Sequence, residues 1–472
     1  MAHAWWRGGM AVVLLGLSAC GGDGLQADLG GTTAAARVSG PIEGGLRGHA
    51  LWDSWFRLED LGYTEAEYFI RGTATSKVDG STQPYTTRFI LRRPLDPARF
   101  NGTVVLDWVN VSAQFENAVD TLNSQAYFLR EGYAYAHVSV QAAGLCCLPL
   151  LTPKLWDPVR YGPLDHPGDD FAFSMLNQVA RAIRAPDEID PMDGLPVQTV
   201  LAAGQSQSAN QLFEFVSEGH IDPQQIDGVL VHSSIGRVFT APPPVPVLHL
   251  LSDYEARPEG PATDTNVVLW EVAGSAHQDF HVGYQQVFGQ GLRAEADLPQ
   301  RSGEAYARQL EVAGNYGEQP HPLHAACIVA GAAFPMRYAV NAAFDHLNRW
   351  ARGGARPPAA PRYQFNEDGS LAADRFGNAL GGIRLPPVVV PVARYRSTVC
   401  GLGGITLPFT SAELGQEYAS HGDYLCALRA ATAQSVADGF LLPADADDLI
   451  GRAVAAANRF AASGPTDCHP DG

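Results

Sequence analysis

Charge is scarce in this chain, and positive charge is scarcest. Only 17% of its 472 residues are charged, with 32 Lys and Arg against 50 Asp and Glu and a formal net charge of −18. No basic patch of the kind a polyanion needs is present, which argues against a nucleic-acid partner. Long apolar runs are missing too. Met10 to Leu17 is too short to cross a bilayer as a stable helix. No cysteine spacing looks like a zinc site, so no metal is expected, and there is no internal repeat. With 46% hydrophobic residues, what remains is an ordered globular chain. Its length suits two average domains or one large α/β domain with insertions.

The N-terminus stands apart from the fold. Arg7 supplies a small positive region, the short apolar core follows, and the stretch ends in Leu17-Ser18-Ala19-Cys20. Small residues directly before a cysteine resemble the lipobox of bacterial lipoproteins. That resemblance implies a signal peptide over 1–20, export, and a mature protein held to the membrane of the cell envelope by lipid on Cys20. The alternative is a plain signal peptide with a chance cysteine. Residues 21–37 are rich in Gly, Ala and Thr and read as a flexible tether. Six cysteines remain beyond Cys20: Cys146, Cys147, Cys327, Cys400, Cys426 and Cys468. An even number in an oxidising compartment suggests disulfides, and six cysteines allow fifteen complete pairings.

Hydrophobic periodicity gives the architecture. Residues 68–75 and 86–93 read as antiparallel strands around Asp79-Gly80, and Pro94 ends the second. Mostly apolar strands are expected over 102–111, 132–141, 200–203, 227–234, 246–251 and 266–272. Helices are expected before 130, over 173–183 and over 209–216. Alternating strands and helices imply an α/β fold with a mostly parallel, doubly wound sheet covered on both faces.

The densest local signal is Gly204-Gln-Ser-Gln-Ser208 between the strand at 200–203 and the helix from 209. Strand, sharp turn with a central serine, and helix is the setting of a nucleophile elbow, and the turn's strain demands small neighbours. Gly204 and Ser208 supply them two residues either side of Ser206. Two later strands place functional groups at the same sheet edge, since groups at the carboxyl ends of parallel strands converge there. Asp253 and Glu255 follow the strand at 246–251, and His277 follows the strand at 266–272. The order Ser, acid, His is that of the α/β-hydrolase triad, in which the histidine takes the serine proton and the acid holds the histidine tautomer. The acid should end a small-x-x-acid turn, and Ser252-Asp-Tyr-Glu255 makes that residue Glu255, with Asp253 as the alternative. His281 is a possible decoy for His277, while His232 and His249 lie inside strands and suit the core. An oxyanion hole needs two backbone N–H groups. Gln207, after the nucleophile, should supply one, and Val111 or Ser112, in the loop after the apolar stretch 104–110, the other.

Beyond the triad, the chain resembles the bacterial alpha/beta hydrolase domain proteins, secreted or lipid-anchored serine hydrolases of largely undefined substrate. The resemblance rests on Trp108-Val-Asn-Val-Ser112, on Asp157-Pro-Val-Arg-Tyr-Gly162 running to His166-Pro-Gly-Asp169, and on Glu271-Val-Ala-Gly-Ser-Ala-His-Gln-Asp279. It continues through His346-Leu-Asn-Arg-Trp350, Gly354-Ala-Arg-Pro-Pro358, Gly377-Asn-Ala-Leu-Gly-Gly-Ile-Arg-Leu-Pro386, Pro408-Phe409 and Asp445-Ala446. It thus covers most of residues 60–460. Where the family usually has Gly-Gly after the third-strand Val-Ser, this chain has Ala113-Gln114, and where the family's acid is usually aspartate it has Glu255.

The expected organisation is an α/β-hydrolase core over 38–285 and a helical and loop extension over 286–472 packed on it. In the extension, Val340, Ala343, Phe344, Leu347 and Ala351 recur at helical spacing, and two or three helices are expected over 416–462, with Leu449, Ile450, Val454 and Ala457 on one face. The usual lid position, 235–244, is nearly empty, which leaves the extension or the loop 142–169 as the cap. The expected activity is hydrolysis of a small-molecule ester through an acyl-enzyme, with no cofactor. A serine peptidase or amidase, a lactonase, or a lipid-anchored binding protein on an inactive hydrolase scaffold are the alternatives. Nothing in the sequence sets the oligomeric state.

Overall fold

The stretch Thr199–Gln205 carries no charge and no side chain wider than leucine, and every one of its residues is buried. Such a strand can be walled in on both faces, as the middle of a parallel sheet requires. The structure is a computed structural model, and it describes residues 33–145, 151–260, 266–327, 330–466 and 468. Cys20, Cys146 and Cys147 lie outside the described residues.

Nine strands form one sheet: β1 (Arg37–Ser39), β2 (Tyr63–Thr75), β3 (Thr82–Pro94), β4 (Thr103–Trp108), β5 (Ala134–Ser139), β6 (Thr199–Gln205), β7 (Gly228–His232), β8 (Val247–Ser252) and β9 (Val267–Val272). Their order is β1-β2-β3-β5-β4-β6-β7-β8-β9. The pairs β1–β2, β2–β3 and β3–β5 are antiparallel and the rest are parallel. The α/β sheet expected from the alternating pattern is therefore present. The hairpin of β2 and β3 extends beyond the expected 68–75 and 86–93, because the register runs unbroken from Tyr63↔Pro94 to Thr75↔Thr82. The short β1 falls at the end of the stretch read as a tether. Its three residues carry too little pattern to be recognised without the strand they pair with. The strand expected over 102–111 stops at Trp108, and Val109 to Ala118 form a loop.

Side chains alternate across the sheet into two cores. Val104, Leu106 and Trp108 of β4 and Val200 and Ala202 of β6 face one, while Val105, Leu201 and Ala203 face the other. The helices Ala172–Arg184 and Gln207–Ser217 cover the first face with Met175, Leu176, Val179, Leu212 and Phe215. Val119–Glu131 and Met336–Ala351 cover the second with Phe128, Val340, Phe344 and Leu347. Each such buried side chain contributes about 1.5–3 kcal/mol relative to exposure, so the helix at 336–351 is an integral wall of the sheet. Arg362 reaches the buried Glu271 of β9, and Ile383 bonds the β9 edge through Ile383 N to Glu271 O (2.6 Å) and Ala273 N to Ile383 O (3.0 Å). An edge covered in this way has fewer free backbone groups to template aggregation.

Residues 33–472 cluster as one compact unit. The C-terminal stretch holds three helices, Ser411–Glu417, His421–Ala437 and Pro443–Ala455. The last buries Ala446, Leu449 and Ala453, while Val454 is exposed and Ile450 only half-buried. The expected stripe was wrong by about a third of a turn, because it ignored the second helix against which this one packs. Among the described residues, disulfides join Cys327 to Cys400 and Cys426 to Cys468. Between β7 and β8 no described helix intervenes. Among the described residues, no helix is long and apolar enough to cross a membrane.

The strand order reverses at β4. The chain leaves β4 towards β5 on one side and returns to β6 on the other, so the carboxyl ends of β4 and β6 flank a crevice. In open α/β sheets that switch point is where ligands bind.

Candidate active site

Ser206 stands at the carboxyl end of β6, between the last strand residue and the first turn of Gln207–Ser217, with φ 64° and ψ −116°. For a residue with a Cβ this conformation is strained, and it persists only when the surroundings hold it. Ser206 N donates to His232 O (2.9 Å) on β7, and Asn210 N donates back to Ser206 O (2.9 Å). Tight packing explains the small residues on either side. A Cβ at Gly204 would meet Leu212 Cδ1 at 3.0 Å and Ser208 Oγ at 3.1 Å. Ser208 is fully buried and its hydroxyl donates to Gln205 O (2.9 Å). Its side chain therefore stays inside the turn, while Ser206 is half-buried.

The strand ends bring the other groups to it. The Ser206 hydroxyl donates to His277 Nε2 (2.8 Å). On the far side of the ring, His277 Nδ1 meets Glu255 Oε1. The second oxygen of Glu255 accepts from Ser252 N (2.8 Å) and Ser252 Oγ (2.7 Å) in a capping box. Burial raises the Glu255 pKa, but the His277 bond and charge and the two Ser252 bonds outweigh it, so the carboxyl sits below its ordinary range. Gln205 Nε2 donates to His277 O (2.8 Å) and ties the histidine loop to the elbow strand.

Asp253 lies elsewhere. It accepts from Gly274 N (3.0 and 3.2 Å), Tyr363 Oη (2.8 Å) and Ser397 Oγ (2.7 Å). It is buried, and desolvation pushes its pKa up to about 6 against those donors. It braces the turn before His277 without touching the ring. His281 is buried and bonds Gln285 (2.8 Å). His232 pairs with Asp120 (2.7 Å), and His249 with Ser234 (2.7 Å). Burial, with Arg257 nearby, lowers the His249 pKa to about 3. His232 and His249 hold core positions, as expected, and His281 is buried as well. Among the described residues no cluster of His, Cys, Asp or Glu could hold a metal ion.

A family model described as "Alpha/beta hydrolase domain" matches residues 38–451. The chain belongs to that family. No curated protein sequence matches it. Among solved structures it is similar to esterase Est22, at 13% identity and TM-score 0.25 over 42% of this chain and 67% of that one. It is also similar to a glucuronoyl esterase from Teredinibacter turnerae, at 10% identity and TM-score 0.23 over 43% and 46%. A prolyl endopeptidase is a third, at 11% and 0.26 over 54% and 39%.

In this alpha/beta hydrolase domain the loop after β4 closes on itself. Asn110 and Asn117 exchange backbone bonds (2.8 and 2.9 Å). Asn110 Nδ2 donates to Gln205 O (3.0 Å), which ties the loop to the end of β6. The Ser112 N–H is donated to Asn110 Oδ1 (2.9 Å). Ser112 is thus not free to serve an incoming oxyanion, which leaves Val111 of the two alternatives expected for the second donor. The N–H groups of Val111 and Gln207 have no protein partner among the described residues.

Three side chains of the site escaped the sequence. Gln205 and Asn110 act by reaching across to other strands, and nothing in their local pattern announces it. Tyr254, 41% exposed, sets its ring 5.5 Å from the His277 ring. It lay inside the Ser252–Glu255 turn but was read only as spacing.

Proposed function

We propose that this hydrolase cleaves carboxylic esters through an acyl-enzyme on Ser206. The observation that carries the reading is the unbroken chain Ser206 Oγ, His277, Glu255 at the switch point of the sheet. His277 Nε2 takes the Ser206 proton as Oγ attacks the ester carbonyl. The ionised Glu255 holds the Nδ1–H tautomer and steadies the imidazolium. The N–H groups of Gln207 and Val111 face the developing oxyanion, a contribution that commonly reaches about 10²–10³ in rate per donor. Collapse expels the alcohol, which carries away the proton from His277. Water, deprotonated by the same nitrogen, then attacks the acyl carbonyl, and His277 returns the proton to Ser206 Oγ as the acid leaves. Every step uses the chain's own groups. The exposed ring of Tyr254 beside His277 gives the substrate an aromatic wall.

A fluorophosphonate probe is expected to label the protein once, at Ser206, and a series of p-nitrophenyl esters of rising chain length to be turned over. Labelling without turnover of any ester, together with cleavage of amide substrates, would replace this reading with a peptidase.

The Leu-Ser-Ala-Cys20 run supports a second proposal, that the enzyme is exported and held at the envelope membrane by lipid on Cys20. One such residue carries more than one acyl chain, and two chains make anchoring stable. Intact-mass measurement on detergent-extracted protein is expected to find a lipidated N-terminus at Cys20. A soluble mature protein cut elsewhere counts against it.

A further inference from the structure

The loop that offers Val111 continues through Ala113-Gln114, and a buried ion network stands behind it. Arg88 of β3 is 1% exposed. Its Nη1 donates to Glu67 Oε1 (2.7 Å) on β2, to Tyr161 Oη (3.0 Å) and to Leu51 O (3.1 Å). Its Nη2 pairs with Glu116 Oε2, inside the loop after β4. The other oxygen of Glu67 takes Arg160 Nε (2.6 Å), and Tyr161 Oη also donates to Glu67 (3.0 Å). Arg160 and Tyr161 belong to the Asp157-Pro-Val-Arg-Tyr-Gly stretch, whose Asp157 caps the short helix through Val159 N and Arg160 N. Two arginines and two glutamates, all buried, thus run from the 142–169 loop through two strands to Glu116.

Glu116 is covalently next to Asn117, which pairs with Asn110, which precedes Val111. The short helix Ala142–Leu145 also packs directly on this point. A Cβ at Gly144 would meet Glu116 Cγ at 2.8 Å and Val111 Cγ1 at 2.9 Å. Trp52 stacks on Phe115 at 5.4 Å. Arg88, Glu116, His137 and Trp52 share a cavity of about 10 Å³, close to the room of one water. Each carries a buried polar atom without a protein partner among the described residues, a set of donors and acceptors that a single water can serve.

We propose that Arg88 and Glu116 are positioning residues: the buried pair holds the loop after β4 so that the Val111 N–H meets the oxyanion. The proposal rests on the serine-hydrolase reading. Removing the Arg88 charge leaves Glu116 buried and unpaired, which is costly, whereas removing the Glu116 charge leaves Arg88 its bond to Glu67 and frees the loop. With Arg88 clamped on its other side by Glu67 and Tyr161, Glu116 and its loop are the side free to move.

The test compares wild type, Glu116→Gln and Gly144→Ala on a p-nitrophenyl ester and on a trifluoromethyl ketone, which mimics the tetrahedral intermediate. Gly144→Ala keeps every charge but pushes a methyl against Glu116 and Val111, so it carries the test if Glu116→Gln fails to fold. Each folded variant is expected to lose about 10–100-fold in kcat, as a misplaced oxyanion donor does. KM should stay within about threefold, and ketone affinity should fall in parallel with kcat/KM. Stoichiometric fluorophosphonate labelling of Ser206 should persist. Folded variants with kcat within about threefold of wild type overturn the proposal, as does a loss confined to KM or to Tm. A wild type that neither turns over ester nor takes the probe overturns the hydrolase reading and this proposal with it. An active wild type with unaffected variants overturns this proposal alone.

Discussion

Ser206→Ala should lower kcat by about 10⁴-fold or more, equivalent to about 5.5 kcal/mol of transition-state stabilisation. The hydroxyl is the group bonded to His277 Nε2, and the backbone around it is already held at φ 64° by the strand and helix. Alanine fits that backbone no worse than serine does, so the loss should come without loss of fold. Ser208→Ala is the matched control. Among the described residues its hydroxyl bonds only Gln205 O, and most activity should remain. Steady-state kinetics on a chromogenic ester and probe labelling check both. A probe adduct on Ser208 would show that the elbow has been misread.

The second large effect separates the two acids. Glu255→Gln should cost about 10²–10⁴ in kcat, whereas Asp253→Asn should cost less than about tenfold. Both Glu255 oxygens accept: one faces His277 Nδ1, and the other takes two donors from Ser252. An amide has one acceptor oxygen. If that oxygen faces Ser252, its NH₂ faces His277 and selects the tautomer with Nδ1 bare and Nε2 protonated, which cannot take the serine proton. If the amide turns over, its NH₂ opposes the Ser252 N–H. At Asp253 the partners are Tyr363, Ser397 and Gly274. The two hydroxyls can rotate to accept from an amide, and none of the three touches the ring. The ratio of kcat values for the two variants decides the assignment, and a greater loss at Asp253 reverses it.

Much of the sheet was legible because its signals are local. A strand buried on both faces reads as a continuous apolar run, as Val200 to Ala203 does. The elbow was legible for the same reason, since a sharp strand-to-helix turn needs small residues within two positions of the serine, and a Cβ at Gly204 would crowd the Ser208 hydroxyl. The short β1 was not legible. Three residues do not establish a period, and Arg37, Val38 and Ser39 become a strand only through their bonds to β2. The buried face of Pro443–Ala455 was misplaced because helical spacing allows several apolar stripes, and the packing partner chooses among them.

The site divides along the same line. Chain order and topology suffice to bring a serine, a pair of acids and a histidine, in that order, to the carboxyl ends of strands at one edge. Packing alone sets which acid oxygen lies against the His277 ring and which N–H after β4 is left without a partner among the described residues. Asp253 is drawn away by Tyr363 and Ser397, more than a hundred residues later in the chain, and Ser112 loses its N–H to an asparagine held in place by β6. Hydrogen bonds act over about 3 Å, and contacts that short between residues so distant in sequence exist only once the sheet and its loops have packed.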